Sequence, residues 1–182
     1  MANGIIQDRD LRGSSLNWAN WMSTLDLTTC VYCVKQHGKI VAISILNMQS
    51  NVNAHPNCNC VYVSMRTKPY GTATTLGYNG ADAYLMTLQR LPNYYISKVD
   101  AVNAGWVAWQ GNLDEILPGK MIGGDVYQNR EGKLPATNGR IWYEADINYV
   151  SGYRTKERIL FSNDGLIFVT YDHYKTFYEI TR

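Results

Sequence analysis

Residues that could move protons and bind phosphate are concentrated in the last third of this 182-residue chain. Glu144 lies where apolar and polar residues alternate, so a β-strand would place it on the face opposite its apolar neighbours. Arg154 and Arg158 follow after a turn, and His173, the only histidine after residue 70, precedes the last predicted strand. These four residues are the first candidates for a catalytic site.

A carboxylate, a histidine and two guanidinium groups suit the cleavage of RNA by its own 2′-hydroxyl. This reaction needs a base that takes the 2′ proton and an acid that protonates the leaving 5′ oxygen. It also needs cations where negative charge gathers, and arginine binds two phosphate oxygens at once. The same residues would have no catalytic role on a solvated strand face, so their types alone leave both interpretations open.

The surrounding sequence predicts the elements that would position these residues. Apolar residues at helical spacing begin at Ala81, and turn residues separate later stretches of alternating polarity. The dipeptide Asp164-Gly165 favours a hairpin. The patterns predict helices over residues 81–91, 98–104 and 113–117, and strands over residues 141–147, 158–162, 166–170 and 176–180. Helices followed by an antiparallel meander are typical of an α+β domain.

Several longer runs of residues carry a resemblance to a known family. They are Gly105-Trp106-Val107-Ala108, Gly123-Gly124-Asp125, residues 129–135, residues 144–149, residues 151–154 and residues 172–177. In this order, residues 78–182 resemble the bacterial guanyl-specific ribonucleases of the barnase type. The resemblance implies N-terminal helices packed on an antiparallel sheet, the microbial ribonuclease fold. It also implies an endoribonuclease that cleaves single-stranded RNA to a 2′,3′-cyclic phosphate and then to a 3′-phosphate.

The resemblance implies a catalytic role for each matching residue. Glu144 corresponds to the general base and His173 to the general acid. The cations around the scissile phosphate correspond to Lys98, Arg154 and Arg158. No cofactor is expected for catalysis.

Substrate-binding residues are implied in the same way, and they are Asn129, Arg130, Glu131, Asp125 and Tyr174. The Glu131 carboxylate would accept hydrogen bonds from the edge of guanine, which accounts for the implied guanyl preference. Asp125 would orient Lys98. We interpret Asp146 and Arg140 as a buried ion pair that holds the sheet.

The charge balance gives no general attraction for RNA. The first 70 residues contain six basic and three acidic residues, which leaves 11 basic and 12 acidic residues for the rest of the chain. A phosphate site in the second part must therefore be a local cluster of cations.

The four cysteines form two close pairs in the first part of the chain, Cys30 with Cys33 and Cys58 with Cys60. Paired cysteines at short spacing are typical of a closed tetrahedral zinc site, and His55 is an alternative ligand. Disulfides or free thiols remain alternatives. We expect a structural zinc ion that holds the first region and leaves the nuclease site untouched.

Weaker patterns describe the rest of the first region. Trp18, Trp21 and Met22 share one face if residues 15–22 form a helix, and short strands are predicted over residues 39–45 and 61–65. Glycine, proline and threonine between residues 68 and 77 predict a linker. The expected domains are therefore a cysteine-rich module over residues 1–70, a linker over residues 71–77 and a ribonuclease domain over residues 78–182.

A second resemblance covers residues 14–66. Trp21, Asp26, the pair Cys30-x-x-Cys33 and the motif His55-Pro56-x-Cys58-x-Cys60 resemble the C-terminal part of phage Mu F-type minor head proteins, which act in head morphogenesis. With the ribonuclease resemblance, this implies a polymorphic toxin in which a zinc-stapled docking or delivery module precedes a nuclease. The alternative is a phage-derived structural or adaptor protein whose nuclease-like domain serves as a binding platform.

The expected location and partners follow from the toxin interpretation. The N-terminus has no basic start followed by an apolar run, so no secretory signal peptide is predicted, and no apolar stretch approaches the roughly 20 residues that span a bilayer. We expect a secreted or delivered effector that acts in the cytoplasm of a target cell. Its expected partners are RNA, a small acidic immunity protein of the barstar type, and phage or secretion-delivery components.

Overall fold

The computed structural model describes residues 16–23, 29–44, 58 and 60–182. The chain forms two compact units. The smaller unit contains the described residues up to Met65 together with the segment Asn129–Gly139. The larger unit contains Arg66–Gln128 and Arg140–Arg182.

The smaller unit is built on a three-stranded antiparallel sheet. Its central strand is β1 (Leu16–Met22), which pairs with β2 (Ile40–Ser44) on one side and β3 (Val61–Ser64) on the other. One helix, α1 (Val31–Gln36), lies between β1 and β2 in the sequence. The strands predicted over residues 39–45 and 61–65 are confirmed.

The helix predicted over residues 15–22 is wrong, because this segment is strand β1. Ala19 and Trp21, two positions apart, are both buried, which is the period of a strand. Pairing with strands on both sides satisfies the backbone hydrogen bonds of β1. The helical spacing of Trp18, Trp21 and Met22 therefore did not decide the local structure.

The larger unit contains a seven-stranded sheet in the order β4-β10-β9-β8-β7-β6-β5. The strands are β4 (Arg66–Pro69), β5 (Tyr95–Ile96), β6 (Met121–Tyr127), β7 (Trp142–Asp146), β8 (Arg158–Ser162), β9 (Ile167–Thr170) and β10 (Tyr178–Thr181). Strands β6 to β10 pair antiparallel, whereas β4 and β5 each add a parallel edge. The sequence predicted β7 to β10 and missed β4, β5 and β6.

Three helices of the larger unit occur where the sequence predicts them. They are α2 (Ala81–Leu88), α3 (Lys98–Asn103) and α4 (Leu113–Ile116). Ser97 caps α3, because its hydroxyl accepts the backbone N–H of Asp100 at 3.1 Å. The predicted α+β class is confirmed for this unit. Among the residues that the structure describes, no helix has the length and apolar character needed to cross a membrane.

Packing of α2 on the sheet decides which face carries the polar residues. Ala81 and Leu85 from the helix join Ala145 and Ile147 in one buried cluster. Neighbouring residues of a strand point to opposite faces. Glu144 therefore points away from α2, as the alternation predicts.

Residues 71–77, predicted as a linker, belong to the larger unit, and the division into units falls between Met65 and Arg66 instead of after residue 70. The backbone N–H groups of Gly71 and Ala73 donate to the fully buried carboxylate of Asp82, at 2.7 and 3.0 Å. Ala73 joins the core beneath α2, and β4 belongs to the large sheet. The units divide between Met65 and Arg66 because these contacts hold the segment to the larger unit.

Candidate active site

Glu144 is the carboxylate around which the candidate site is built. It lies in the middle of β7, paired with Asp125 on β6 and Leu160 on β8. Its side chain is only 12% exposed, and its Oε1 lies 2.7 Å from Lys98 Nζ. The Tyr174 hydroxyl donates to its Oε2 at 2.6 Å. The two donors fix both oxygens of the carboxylate.

These contacts also set the charge of Glu144. Burial raises the pKa of its carboxyl group, but hydrogen bonds from Lys98 and Tyr174 and the positive charges of Lys98 and Arg158 outweigh burial. The pKa of Glu144 is therefore lower than its ordinary value, and the group is ionised at neutral pH. Burial and the Glu144 carboxylate raise the pKa of Tyr174, which keeps its hydroxyl a donor.

Lys98 is positioned by its place at the start of α3. Its backbone N–H lies 3.3 and 3.1 Å from the two carboxylate oxygens of Asp125. Asp125 thus holds the main chain of Lys98, while the ammonium group reaches Glu144.

Two arginines are fixed by one buried carboxylate. Asp146 is fully buried, and its Oδ2 and Oδ1 accept hydrogen bonds from Nε and Nη2 of Arg154, at 2.7 and 2.8 Å. Arg158 Nε lies 3.0 Å from Asp146 Oδ1. The Nη1 of Arg158 donates to the carbonyl oxygens of Thr155 and Glu157, both at 2.7 Å. The two guanidinium groups are therefore held together beside the sheet.

The predicted ion pair of Asp146 with Arg140 is wrong. Arg140 pairs with Asp164 instead, with its Nη2 2.6 Å from the Oδ2. Asp146 lies opposite Arg158 in the register of β7 and β8, which brings their side chains to one place. Arg140 precedes the other end of β7 and lies beside the β8–β9 hairpin.

The cations of the site differ in how far they reach solvent. The side chain of Lys98 is 38% exposed and that of Arg154 is 21% exposed, whereas that of Arg158 is 6% exposed. Arg154 also lies over the Trp106 ring, 5.9 Å from its centroid. Lys98 and Arg154 therefore offer more of their side chains to solvent than Arg158 does, and Arg158 adds a positive charge close to Glu144.

His173 lies in the turn between β9 and β10. It is exposed, and both His173 and Tyr174 have positive φ angles, 60° and 67°. Such angles are unfavourable for these residues and persist where neighbours hold the backbone. Here Asp172 accepts the backbone N–H groups of two following residues, Lys175 and Thr176. The His173 and Tyr174 ring centroids are 4.7 Å apart, which places the imidazole next to the residue that contacts Glu144.

One supporting residue has no signal in the sequence. Asp114 on α4 accepts the backbone N–H of Gly152 at 2.9 Å and the hydroxyl of Tyr149 at 3.1 Å. These bonds anchor the turn that leads into Arg154. The Ser151-Gly152 dipeptide predicts a turn, but nothing in the local sequence connects it with a residue 38 positions earlier.

The residues implied to bind guanine lie in the smaller unit, within Asn129–Gly139. Asn129 closes this loop, because its amide accepts the N–H of Leu134 at 3.0 Å and donates to the carbonyl oxygen of Leu134 at 2.8 Å. Arg130 is exposed, and the 71% exposed side chain of Glu131 pairs with Lys133 at 2.8 Å. The larger unit thus collects the candidate catalytic residues, and the loop residues form a group of their own.

The larger unit therefore holds a buried carboxylate, a nearby imidazole and fixed cations on an antiparallel sheet, a set of groups that can cleave a phosphodiester by acid–base catalysis. A family model described as ribonuclease matches residues 80–181, which include all of these residues. The chain belongs to the ribonuclease family. The matched range begins after the cysteine region, whose resemblance to phage minor head proteins stays a prediction.

Individual relatives agree with this assignment. The chain is 55% identical over 103 residues to proteins named ribonuclease from Heyndrickxia coagulans, Bacillus intermedius and Bacillus pumilus. Each match covers 57% of this chain; it spans 94% of the Heyndrickxia coagulans protein and 64% of each of the other two. The prediction of a ribonuclease is confirmed.

Proposed function

We propose that the protein is a guanyl-preferring endoribonuclease that cleaves single-stranded RNA by transesterification. The observation that carries the proposal is the Glu144 carboxylate, which is almost buried yet held ionised by Lys98 and Tyr174. A carboxylate kept in this state is available as a base at neutral pH. The imidazole of His173, adjacent to Tyr174, supplies the acid.

In the first step, Glu144 takes the proton of the 2′-hydroxyl group while the 2′ oxygen forms a bond to phosphorus. The bond from phosphorus to the 5′ oxygen breaks, and His173 in its protonated form gives that oxygen a proton. Lys98 and Arg154 stabilise the charge on the phosphoryl oxygens. A guanidinium group has five N–H donors, so the pair with Asp146 leaves Arg154 with donors for phosphate.

The second step reverses the proton transfers. Neutral His173 takes a proton from water, whose oxygen attacks the phosphorus of the 2′,3′-cyclic phosphate. The 2′ oxygen leaves and regains its proton from Glu144, which gives the 3′-phosphate. Both side chains return to their starting protonation states, so the two steps form a cycle.

The preference for guanine is proposed for the loop that contains Asn129, Arg130 and Glu131. Guanine presents two adjacent N–H donors on its Watson–Crick edge, and a carboxylate can accept both, whereas adenine cannot offer the same pair. Glu131 is exposed and paired with Lys133, so it can exchange this ion pair for the base edge. A site that loses such bonds with the wrong base discriminates strongly.

Dinucleotide substrates test this specificity. We expect kcat/KM for GpU to exceed that for ApU, and we expect Glu131→Gln to reduce this ratio roughly 100-fold or more because the amide cannot accept both N–H groups. The exposed carboxylate of Glu115 on α4 provides a matched control, and Glu115→Gln should keep the ratio. Equal kcat/KM values for GpU and ApU with the wild-type protein would refute the guanyl preference.

We also propose that the ribonuclease acts as a toxin, delivered into target cells and restrained in the producing cell by a small acidic immunity protein. The support is the partly exposed cation pair of Lys98 and Arg154 on a unit with a nearly balanced charge. An acidic surface that binds these cations would mimic the phosphates of RNA and block the site.

A further inference from the structure

The four cysteines gather at the core of the smaller unit. Cys33, Cys58 and Cys60 are buried, and their sulfur atoms all lie within 4.8 Å of one another. Cys30 precedes α1, and its sulfur accepts the backbone N–H of Cys33 at 3.3 Å. Two segments that are distant in sequence thus bring their thiols to one point.

The distances fit a shared metal ion. The sulfur atoms of Cys33 and Cys58 are 3.9 Å apart, whereas a disulfide bond is about 2.05 Å long. Four sulfurs bound tetrahedrally at about 2.3 Å from zinc would be about 3.8 Å from one another. The observed separation therefore matches the edge of a zinc–thiolate tetrahedron.

The surroundings of the thiols suit a structural site. Trp21 packs in the same buried cluster, and its ring meets Tyr32 and Tyr62 edge-on, each at 5.9 Å between centroids. An apolar shell of this kind limits access of water to the ligands. His37 is a poor competitor, because its Nδ1 accepts the backbone N–H of Ser23 at 3.1 Å, which leaves the ring proton of a neutral imidazole on Nε2. The alternative ligand His55 lies outside the described residues.

We propose that Cys30, Cys33, Cys58 and Cys60 bind one zinc ion. We also propose that this ion stabilises the conformation of the loop Asn129–Gly139, which is proposed to bind guanine. Four protein sulfurs fill a tetrahedron and leave no open position, so the ion has a structural role. The second half of the proposal rests on the proposed function, because it assigns guanine recognition to the loop Asn129–Gly139.

Backbone contacts connect the metal site with the loop. The N–H of Gly38, which follows α1, donates to the carbonyl oxygen of Trp21 at 2.7 Å. Two residues later, the N–H of Ile40 donates to the carbonyl oxygen of Lys133 at 2.8 Å. The Gly132 backbone also lies beside the Lys39 side chain, because an added Cβ would be at van der Waals distance, 3.4 Å, from its Cε. Fixing α1 therefore fixes the strand to which the loop is bonded.

This connection revises the expectation that zinc would leave the nuclease site untouched. The groups that transfer protons lie in the larger unit, and zinc should not affect their chemistry. The loop of Glu131 lies in the same unit as the cysteines. Zinc is therefore expected to affect the preference for guanine over adenine.

The metal is tested first, without any nuclease assay. Elemental analysis of the purified wild-type chain should give one zinc per chain, and replacement by Co²⁺ should give the absorption bands of a tetrahedral thiolate site. Cys30→His should keep the metal and shift these bands, whereas Cys30→Ala should weaken binding at least tenfold. Absence of stoichiometric zinc, together with a mass that shows two disulfides, would overturn the proposal.

The bracing of the loop has two readouts. Hydrogen exchange at the Ile40 amide, which is bonded to Lys133, should be slower in the zinc-loaded protein than after chelation. The ratio of kcat/KM for GpU to that for ApU should fall roughly 10- to 100-fold on chelation and return when zinc is restored. If the metal binds but neither quantity changes, the bracing role is wrong. If the loaded enzyme shows no preference for guanine, the proposed specificity fails, while the metal measurements still decide the site.

Discussion

Glu144 owes its charge to donors on two different elements, Lys98 at the start of α3 and Tyr174 in the β9–β10 turn. A general base with a lowered pKa accepts protons weakly but is ready at every physiological pH. The geometry therefore favours an enzyme whose activity persists at mildly acidic pH. Because Lys98 is the nearest positive charge, it sets the lowest pH at which Glu144 stays ionised.

We predict that Lys98→Ala lowers kcat/KM for GpU roughly 100-fold, because it removes a cation from the phosphate site. It should also move the acid limb of the pH profile upward by about 1 pH unit or more, because the pKa of Glu144 rises when its nearest positive charge is lost. The measurement is kcat/KM between pH 3 and pH 8. Lys120→Ala, which removes an ammonium bonded to the Asn93 carbonyl oxygen, should leave the limb in place.

An acid limb that does not move in Lys98→Ala would show that the ammonium does not control the charge of Glu144. Either Tyr174 and Arg158 would then set the charge of Glu144, or the acid limb would report a different group.

Single residues were predictable from the sequence only in part. Alternation along β7 placed Glu144 on the polar face because the strand period is simple. The partner of Asp146 was not predictable, because it depends on the register between β7 and β8, which brings Arg158 opposite it. The role of Asp114 depends on a tertiary contact with Gly152 and leaves no local pattern.

At the scale of elements, the β8–β9 hairpin is held by an ion pair outside the active site. The Arg140 side chain is 1% exposed, and its Nε and Nη2 bind the Asp164 carboxylate in the turn. Burial raises the pKa of Asp164. Hydrogen bonds from Arg140 and Ser162 and the charge of Arg140 lower this pKa by more than burial raises it, so the net shift is downward. Loss of this carboxylate would remove the ion pair that the buried Arg140 guanidinium makes with Asp164.

We predict that Asp164→Asn lowers the free energy of unfolding by roughly 1–3 kcal/mol at pH 7, less than for a fully buried pair because Asp164 is partly exposed. A carboxyl group whose pKa is lowered in the folded state stabilises the protein above its unfolded pKa, and it loses that effect as the pH falls through the folded value. The difference between variant and wild type should therefore shrink below about pH 4. Urea unfolding at pH 7 and pH 3 measures it, and a difference that stays constant would contradict the assignment.

There are physical reasons why the sequence patterns failed to predict some of the strands. Strand β6 contains Gly123 and Gly124, which weaken any strand pattern. An added Cβ at Gly123 would lie 2.5 Å from the Cβ of Ala145, and Gly124 has a φ of 93° where the register between β6 and β7 shifts. Both glycines are needed by the β6–β7 pair, and this need is not visible in the sequence. Strand β1 was predicted as a helix because seven residues with two tryptophans fit either period.

At the scale of the whole molecule, the division into units differs from a simple order of domains. The segment Asn129–Gly139 lies within the part of the sequence that resembles ribonucleases but groups with the cysteine-containing unit. Sequence patterns show where elements begin and end, whereas this grouping depends on backbone bonds such as that between Ile40 and Lys133. The predicted linker region groups with the larger unit through contacts of the same kind, in which the Asp82 carboxylate accepts the backbone N–H groups of Gly71 and Ala73.

The toxin role predicts how an inhibitor should bind. Lys98 and Arg154 offer their charge to solvent, whereas Arg158 is largely buried, so we expect Lys98→Ala and Arg154→Ala to weaken binding of an acidic barstar-type protein. The association rate should fall as salt rises, because screening weakens attraction between exposed charges. Stopped-flow measurements at several salt concentrations test this, and Lys120→Ala should behave as the wild type. An association rate independent of salt and of Lys98 would contradict charge-guided binding.

The proposed mechanism depends most on Glu144 as the base, and one kinetic comparison tests this role directly. Glu144→Gln keeps the shape of the side chain and removes its ability to take a proton, so we predict a fall of about 100- to 10,000-fold in kcat/KM for GpU. Glu115→Gln should keep the wild-type value, and a circular dichroism spectrum shared by all three proteins would show that the fold is retained. A Glu144→Gln variant that cleaves GpU within tenfold of the wild-type rate would contradict the assignment of Glu144 as the base.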